Sequence, residues 1–201
     1  TIIRIGALPL ELTEIRSTVV GAQLGAEEGS GTRSSLLWEC KKLIEAKRPR
    51  FLLMENVKNL VGSTHKPNFD KWLAYLESLG YSNYWRVLNA VDYGAAQSRE
   101  RVFCISILNP KTDFVFPVAQ ERKIKLKDIL DPKDKIPANM YMNDRPFVFR
   151  ENAEESENGL IHLGNLQMAG NDSVKRVYSP EGVCPTLTTM VPPKSPKLSM
   201  K

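Results

Sequence analysis

The chain has 201 residues, of which 42% are hydrophobic and 25% charged, and its formal net charge is +5. This length and composition suit one sizeable hydrophobic core with a small module beside it. No apolar run approaches the roughly 18 to 20 residues of a membrane span, and the first residues lack the charged head of a secretory signal. We therefore expect a soluble protein of the cytoplasm, or of the nucleus if its source is eukaryotic.

Three cysteines, Cys40, Cys104 and Cys184, lie far apart and lack the paired spacing of metal ligands. They are expected to be reduced, buried thiols, and neither a disulfide framework nor a metal site is predicted. The modest positive charge is compatible with a polyanionic partner, but an excess of lysine also occurs on ordinary solvated surfaces. The charge alone decides neither.

A first helix is predicted from about Ser34 to the residues before Pro49, after a glycine-rich segment that reads as a mobile loop. Thr32 or Ser34 can cap the start of this helix, and proline cannot continue it. Apolar residues recur at helical spacing, namely Leu36, Leu37, Cys40, Leu43 and Ile44.

Strands and a second helix follow in alternation. Residues 51–54 form a short apolar run, and residues 83–90 and 101–108 also read as strands. Between the first two strands lies an amphipathic helix that Gly80 ends, with its buried stripe at Phe69, Trp72, Leu73, Leu76 and Leu79. Strand, helix and strand in this order predict an α/β fold with a mainly parallel sheet.

The composition changes after Pro117. Residues 118–175 are rich in Lys, Asp, Asn and Glu with only short apolar patches, which predicts a smaller, irregular module. Residues 176–201 contain a turn at 179–182, a threonine-rich stretch and several prolines. We expect three parts: an α/β domain at 1–117, a module at 118–175, and a segment at 176–201 that returns towards the first domain.

Gln97, Arg99 and Arg101 alternate along the chain, so in an extended backbone all three project to one face. One amide and two guanidiniums in a row suit an anionic or carbonyl-rich ligand. The alternative is that Arg99 and Arg101 pair with carboxylates such as Asp92 on a solvated sheet edge.

Four ordered motifs carry a family resemblance. GTRSSLLWE, FLLMENVKNLV, LNAVDYGAAQSRERVFCI and KRVYSPEGVCPTLTTM together resemble the DNA (cytosine-5) methyltransferase family, over about residues 25–190. The resemblance implies a partial Rossmann-like S-adenosylmethionine-dependent methyltransferase fold, with residues 1–117 as its catalytic domain and 118–175 as its target-recognition domain. It also implies methyl transfer from S-adenosylmethionine to C5 of a cytosine flipped out of double-stranded DNA, in a restriction-modification setting.

The same resemblance assigns three catalytic residues, Glu55, Arg99 and Arg101. In this family a cysteine thiolate attacks C6 of cytosine, and the negative charge that develops in the ring is neutralised at N3. Glu55 matches the acid that serves N3, and partial desolvation at the end of a buried strand favours its protonated form. Arg101 is expected near the base O2 and the nucleophile, and Arg99 in the pocket or facing a phosphate.

Further roles follow from the resemblance. Asn56 and Val57 are expected to form the wall of the cytosine pocket. Gln97 is expected to organise the turn in its own motif. The remaining assignments are Arg33 on DNA phosphate, Leu36 near the cofactor adenine, Thr186 and Thr188 as structural supports, and Arg145, Lys175 and Arg176 as DNA contacts or solvated surface.

The family's nucleophilic cysteine and most of its cofactor site have no counterpart here. No cysteine precedes the GTRSSLLWE segment, and the glycine loop and acidic residues that hold S-adenosylmethionine are absent. The chain is expected to lack segments of a longer active enzyme. Two alternatives are a split enzyme with a complementary methyltransferase subunit, and an inactive homologue acting as a DNA-binding or regulatory module.

Overall fold

A computed structural model describes residues 2–6, 13–16, 36–138 and 146–187, with side chains from residue 40 onward. The expectations for the glycine-rich loop and for Thr32, Arg33, Ser34, Arg145 and Thr188 lie outside the described residues. The chain forms two compact units, residues 1–88 with 100–118 and residues 89–99 with 119–201. Within the described ranges, no helix is long and apolar enough to cross a membrane.

The first unit contains a five-stranded sheet in the order β2-β1-β3-β5-β4. The pairs β1–β2, β1–β3 and β3–β5 are all antiparallel. The strands are β1 Ile2–Gly6, β2 Thr13–Arg16, β3 Phe51–Val57, β4 Tyr81–Asn89 and β5 Glu100–Leu108.

The prediction that the strands of this sheet pair mainly in parallel is wrong. Asn109, just after β5, donates its N–H to the carbonyl of Gly80, just before β4, so these two strands also run antiparallel. β3 and β4 therefore share a direction, as a strand–helix–strand unit requires. β5 lies between them and runs the opposite way, so the parallel strands never pair.

The two helices of the first unit, α1 Leu36–Lys47 and α2 Lys66–Ser78, cover one face of this sheet. Alternate residues of β3 and β5 point into the same core. Gly80 has φ +87°, a left-handed conformation that ends α2 as expected. The apolar stripes are confirmed where side chains are described, and the buried apolar core consists of Cys40, Ile44, Leu52, Met54, Leu60, Phe69, Trp72, Leu76, Tyr81, Val102 and Cys104.

The second unit contains a three-stranded antiparallel sheet in the order β6-β7-β8, so its 118–175 part is less irregular than the composition indicated. The strands are Phe147–Phe149, His162–Leu166 and Arg176–Tyr178, and a short helix, α3 Asp172–Lys175, precedes the last. Strands of three to five residues are too short for a reliable alternating pattern. The turn expected at 179–182 is confirmed by a hydrogen bond from the Gly182 N–H to the Ser179 carbonyl.

Candidate active site

Glu55 and Arg101 meet across the antiparallel pair β3–β5. Val57 lies opposite Arg101 and Glu55 opposite Phe103, so Glu55 and Arg101 are diagonal neighbours on one face. Arg101 Nε lies 3.1 Å from Glu55 Oε1, with side chains 16% and 24% exposed respectively. Because the alternate residues of these strands face the helices, this ion pair lies on the opposite face of the sheet. The two predicted catalytic side chains are thus brought together.

The alternative expected the arginines to pair with carboxylates such as Asp92, and Arg101 does pair with a carboxylate, Glu55. Asp92 instead binds Arg122, whose Nε and Nη2 both approach Asp92 Oδ1, at 2.9 and 2.7 Å. Both residues belong to the second unit. Arg101 therefore belongs to the pair with Glu55, and Asp92 to a separate contact within the second unit.

A second ion pair joins the same two strands and was missed by sequence reasoning. Lys58, directly after β3, places Nζ 2.8 and 2.9 Å from the two carboxylate oxygens of Glu100, the first residue of β5. The Glu100 carbonyl also accepts a hydrogen bond of 2.7 Å from Arg101 Nη1. The only sequence signal was that one of the two motifs contains a lysine and the other a glutamate at these positions. Since Lys58 is exposed, solvent screening limits the pair to about 1 kcal/mol or less.

Asn56 and Val57 lie on different faces of β3. Val57 shares the half-buried face with Glu55, whereas Asn56 is fully buried on the helix side. Asn56 Oδ1 accepts the Val57 N–H at 2.7 Å, at the end of the strand. β3 also extends three residues beyond the predicted run, so Glu55 lies within the strand rather than after it. The pocket-wall role of Asn56 and Val57 stays a prediction.

Gln97 and Arg99 are not part of β5, which begins at Glu100. They belong to the second unit, so the predicted row of three side chains is divided between the two units. Gln97 pairs with Cys184 in an isolated parallel bridge, and its Nε2 donates to the Pro185 carbonyl at 3.3 Å.

The segment 184–186 lies alongside residues 96–98. The Ser98 N–H donates to the Cys184 carbonyl at 2.8 Å, and the Cys184 N–H donates to the Ala96 carbonyl at the same distance. Thr186 Oγ1 completes the contact by donating to the Ser98 carbonyl at 2.9 Å. Thr186 thus makes the kind of contact that a structural support requires.

The backbone of Arg99 is held by the end of β4. Its N–H donates to Asn89 Oδ1 at 2.7 Å, and its carbonyl accepts the Ala90 N–H at 3.1 Å. The guanidinium of Arg99 makes no hydrogen bond or ion pair with any other residue that the structure describes. Asn89 was not identified from the sequence, although a polar residue closing an apolar strand is a detectable signal.

None of the three cysteines is suited to nucleophilic attack, because the thiolate is the reactive form. Cys40 and Cys104 are buried in the core of the first unit. Burial raises the pKa of Cys104 to about 11, and burial also raises the pKa of Cys184. The expectation that all three thiols are buried is wrong for Cys184, which is partly exposed.

Two of the assigned residues, Leu36 and Arg33, have no described side chain. Leu36 is the first residue of α1, but its side chain is not described, and Arg33 lies outside the described ranges. Both assignments therefore stay predictions. The geometry that the structure does provide is the Glu55–Arg101 pair on one face of β3 and β5.

The arrangement of motifs and strands is that of a DNA methylase. The chain belongs to the C-5 cytosine-specific DNA methylase family, whose model matches residues 18–194. It has part of the Rossmann-like fold of S-adenosylmethionine-dependent methyltransferases.

Individual relatives support membership of this family. Over 114 residues the chain is 62% identical to the type II methyltransferase M2.ScrFI of Lactococcus lactis subsp. cremoris, covering 57% of this chain and 32% of the relative. It is 36% identical over 177 residues to the orphan methyltransferase M.SssI of Spiroplasma monobiae, covering 84% of this chain and 44% of that protein. The chain thus spans about a third to a half of the length of these relatives.

One solved structure shares the fold. A prophage-encoded protein of E. coli, described as a DNA modification methyltransferase, matches with a TM-score of 0.53 and 20% sequence identity. The match covers 84% of this chain and 61% of the other. At this identity the likeness concerns the fold alone.

Proposed function

We propose that this chain carries the base-binding part of a DNA cytosine-5 methyltransferase of a restriction-modification system. The enzyme would transfer a methyl group from S-adenosylmethionine to C5 of a cytosine flipped out of double-stranded DNA. The observation that carries the proposal is the Glu55–Arg101 ion pair on one face of β3 and β5. The names of the relatives, type II and orphan methyltransferases, support it and do not favour a non-catalytic DNA-binding module.

Glu55 and Arg101 would act on the polar edge of the flipped cytosine. Attack of a thiolate at C6 moves negative charge onto N3 and O2 of the ring. Glu55 would hydrogen-bond N3, and the guanidinium of Arg101 would lie beside O2. Because the antiparallel register fixes both side chains as diagonal neighbours, their donors are oriented before the base arrives.

The attacking thiol is not among the cysteines of this chain, since two are buried and the third has a raised pKa. S-adenosylmethionine supplies the methyl group when bound, and of the residues assigned to it only Leu36 falls within a described element. The relatives' greater length leaves room for both functions outside these 201 residues. The intact mass of the purified protein distinguishes a longer polypeptide from one that needs a complementary subunit.

The second unit is proposed to contain the target-recognition domain at 118–175, and residues 176–201 to return towards the catalytic domain at 1–117. The division of the compact units after Val118 supports the first boundary. Lys175 and Arg176 are candidates for phosphate contact, although Arg176 also pairs with Asp172. The bacterial relatives support a cytoplasmic location.

The proposal is tested by covalent trapping on duplex DNA that contains a mechanism-based cytosine analogue, with S-adenosylmethionine present. We expect the full-length enzyme, which contains the attacking thiol, to be trapped and Glu55→Gln to slow trapping by about 100-fold or more, because the amide cannot supply a proton to N3. Glu77→Gln, at an exposed position on α2, is the matched control and should trap at the wild-type rate.

Two results would contradict the proposal. One is equal trapping by Glu55→Gln and the wild type. The other is binding that falls steeply with salt, shows no dependence on cytosine and gives no covalent complex, which is the behaviour of a simple DNA-binding module.

A further inference from the structure

Asn89 closes β4 with a buried amide that makes two hydrogen bonds to the segment before β5. It is 8% exposed. Its Oδ1 accepts the Arg99 N–H at 2.7 Å, and its Nδ2 donates to Ser98 Oγ at 3.2 Å. One side chain thus binds two consecutive residues of the QSR segment.

This contact replaces a normal strand pairing. In an antiparallel ladder the Arg99 N–H would donate to a backbone carbonyl of the neighbouring strand. Here the Asn89 side chain takes that N–H, while the Ala90 N–H still donates to the Arg99 carbonyl at 3.1 Å. The strand β5 accordingly begins only at Glu100, and residues 97–99 leave the ladder.

Residues 97–99, which have left the ladder, are also bound by a second segment of the chain. Cys184 and Thr186 bind the backbone of Ser98, as described above. The backbone of Arg99 is therefore fixed, whereas its guanidinium makes no hydrogen bond or ion pair with another described residue. A fixed backbone at a partly exposed arginine leaves the guanidinium available to an oxygen ligand.

We propose that Asn89 is a positioning residue, which holds the Arg99 backbone so that the Arg99 guanidinium binds an oxygen of the DNA substrate. The inference rests on the proposed function. That oxygen belongs to a backbone phosphate or to a carbonyl of the flipped base, and both accept hydrogen bonds from a guanidinium. Asparagine suits the position because one planar group supplies both the acceptor for Arg99 and the donor for Ser98.

Amide hydrogen exchange tests the positioning contact directly in the 201-residue chain. The Arg99 N–H should be protected in the wild type and exchange at least about tenfold faster in Asn89→Ala, since its buried acceptor is lost. Asn89→Asp keeps an acceptor oxygen and should keep the protection. Asn152→Ala, at an exposed position in the same unit, is the matched control.

A change limited to the segment distinguishes positioning from general destabilisation. The amides of β3 and β5 should exchange as in the wild type in every variant. An Arg99 N–H that is equally protected in Asn89→Ala would overturn the proposal. Accelerated exchange throughout the second unit would do so too, because Asn89 would then support the fold and not Arg99 in particular.

The functional arm compares Asn89→Ala, Arg99→Ala and the double variant in DNA binding at several salt concentrations. Each single variant should weaken binding by about tenfold, and the double variant no further, because Asn89 acts through Arg99. A salt slope reduced by about one identifies a phosphate, whereas an unchanged slope identifies a base carbonyl.

Independent losses that multiply in the double variant would overturn the positioning role. If the wild type neither binds DNA nor is trapped by the cytosine analogue, the proposed function fails and the assignment of Arg99 to DNA fails with it. If the wild type is trapped but Asn89→Ala binds DNA normally, only the inference about Asn89 fails.

Discussion

The two compact units are stabilised by different kinds of contact. The first has a continuous apolar core between two helices and a sheet, in which side-chain volume is the main determinant of stability. The second has buried apolar residues outside that core cluster, such as Val177 and Val183, together with individual polar contacts, such as Arg122 with Asp92 and Thr186 with Ser98. The comparison teaches that a stripe of apolar residues specifies one unit, whereas single residues at single positions specify the other.

Trp72→Ala should have the largest effect and tests the first half of the comparison. Trp72 is 2% exposed within the core, so its truncation is expected to lower the free energy of unfolding by about 3 to 5 kcal/mol. Trp85→Ala is the matched control, because Trp85 is 38% exposed beside Phe69. Urea unfolding followed at the amides of β3 and β5 measures both losses. Equal losses would contradict the assignment of the core.

Gly164→Ala tests the second half of the comparison, namely that single positions specify the second unit. A Cβ at Gly164, where φ is +152°, would overlap the Val148 carbonyl oxygen, so β6 and β7 could not keep their pairing. Gly94→Ala is the control with the same kind of change, since a Cβ there meets nothing within 4 Å although φ is +87°. It should cost about 1 kcal/mol through backbone strain alone.

Amide exchange at residues 147–149 and 162–166 separates the two glycine variants. Gly164→Ala should expose these amides, and Gly94→Ala should leave them protected. If the two variants behave alike, backbone geometry is not what limits the second unit.

The smallest expected effect is a pH dependence that belongs to the core of the first unit. Burial raises the pKa of Cys104 from 9.0 to about 11. Because the pKa of this thiol is raised in the folded state, its contribution to stability is fully present below about pH 9 and is lost as the pH rises towards 11. Between about pH 8 and about pH 10 this thiol should cost about 1 kcal/mol of unfolding free energy.

Cys104→Ala removes the titrating group and serves as the comparison. Urea unfolding at both pH values should show a smaller loss of stability at the higher pH in the variant than in the wild type. An equal loss in both would mean that the Cys104 thiol is not protected from ionisation by burial.

The sequence predicted the two helices and the strands β3, β4 and β5 of the first unit, because each is long enough to show its period, but it did not predict β1 and β2. The stripe of α2 and the end of that helix at Gly80 are examples. The direction of β5 was not predictable, since an apolar run reads the same in a parallel and an antiparallel pair. The short strands of the second unit, such as Phe147–Phe149, carry too few residues to reveal a pattern.

Site residues could be predicted where they belong to a recognisable sequence motif, but not where only the folded geometry makes them important. Glu55 and Arg101 were identified, and their expected proximity agrees with the pair found across β3 and β5. Lys58, Glu100 and Asn89 were missed, because their importance comes from register and from the end of a strand. The side chain of Asn56 alternates to the buried face, and its pocket-wall role stays a prediction.

The position of β5 between β3 and β4 has a consequence for the order of assembly. During synthesis β3, α2 and β4 emerge first, and they leave between them a space that only a later strand can fill. Until residues 100–108 arrive, the facing edges of β3 and β4 have unpaired backbone groups. Arg101 arrives on the strand that fills this space, so the sheet and the Glu55–Arg101 pair are completed in the same event.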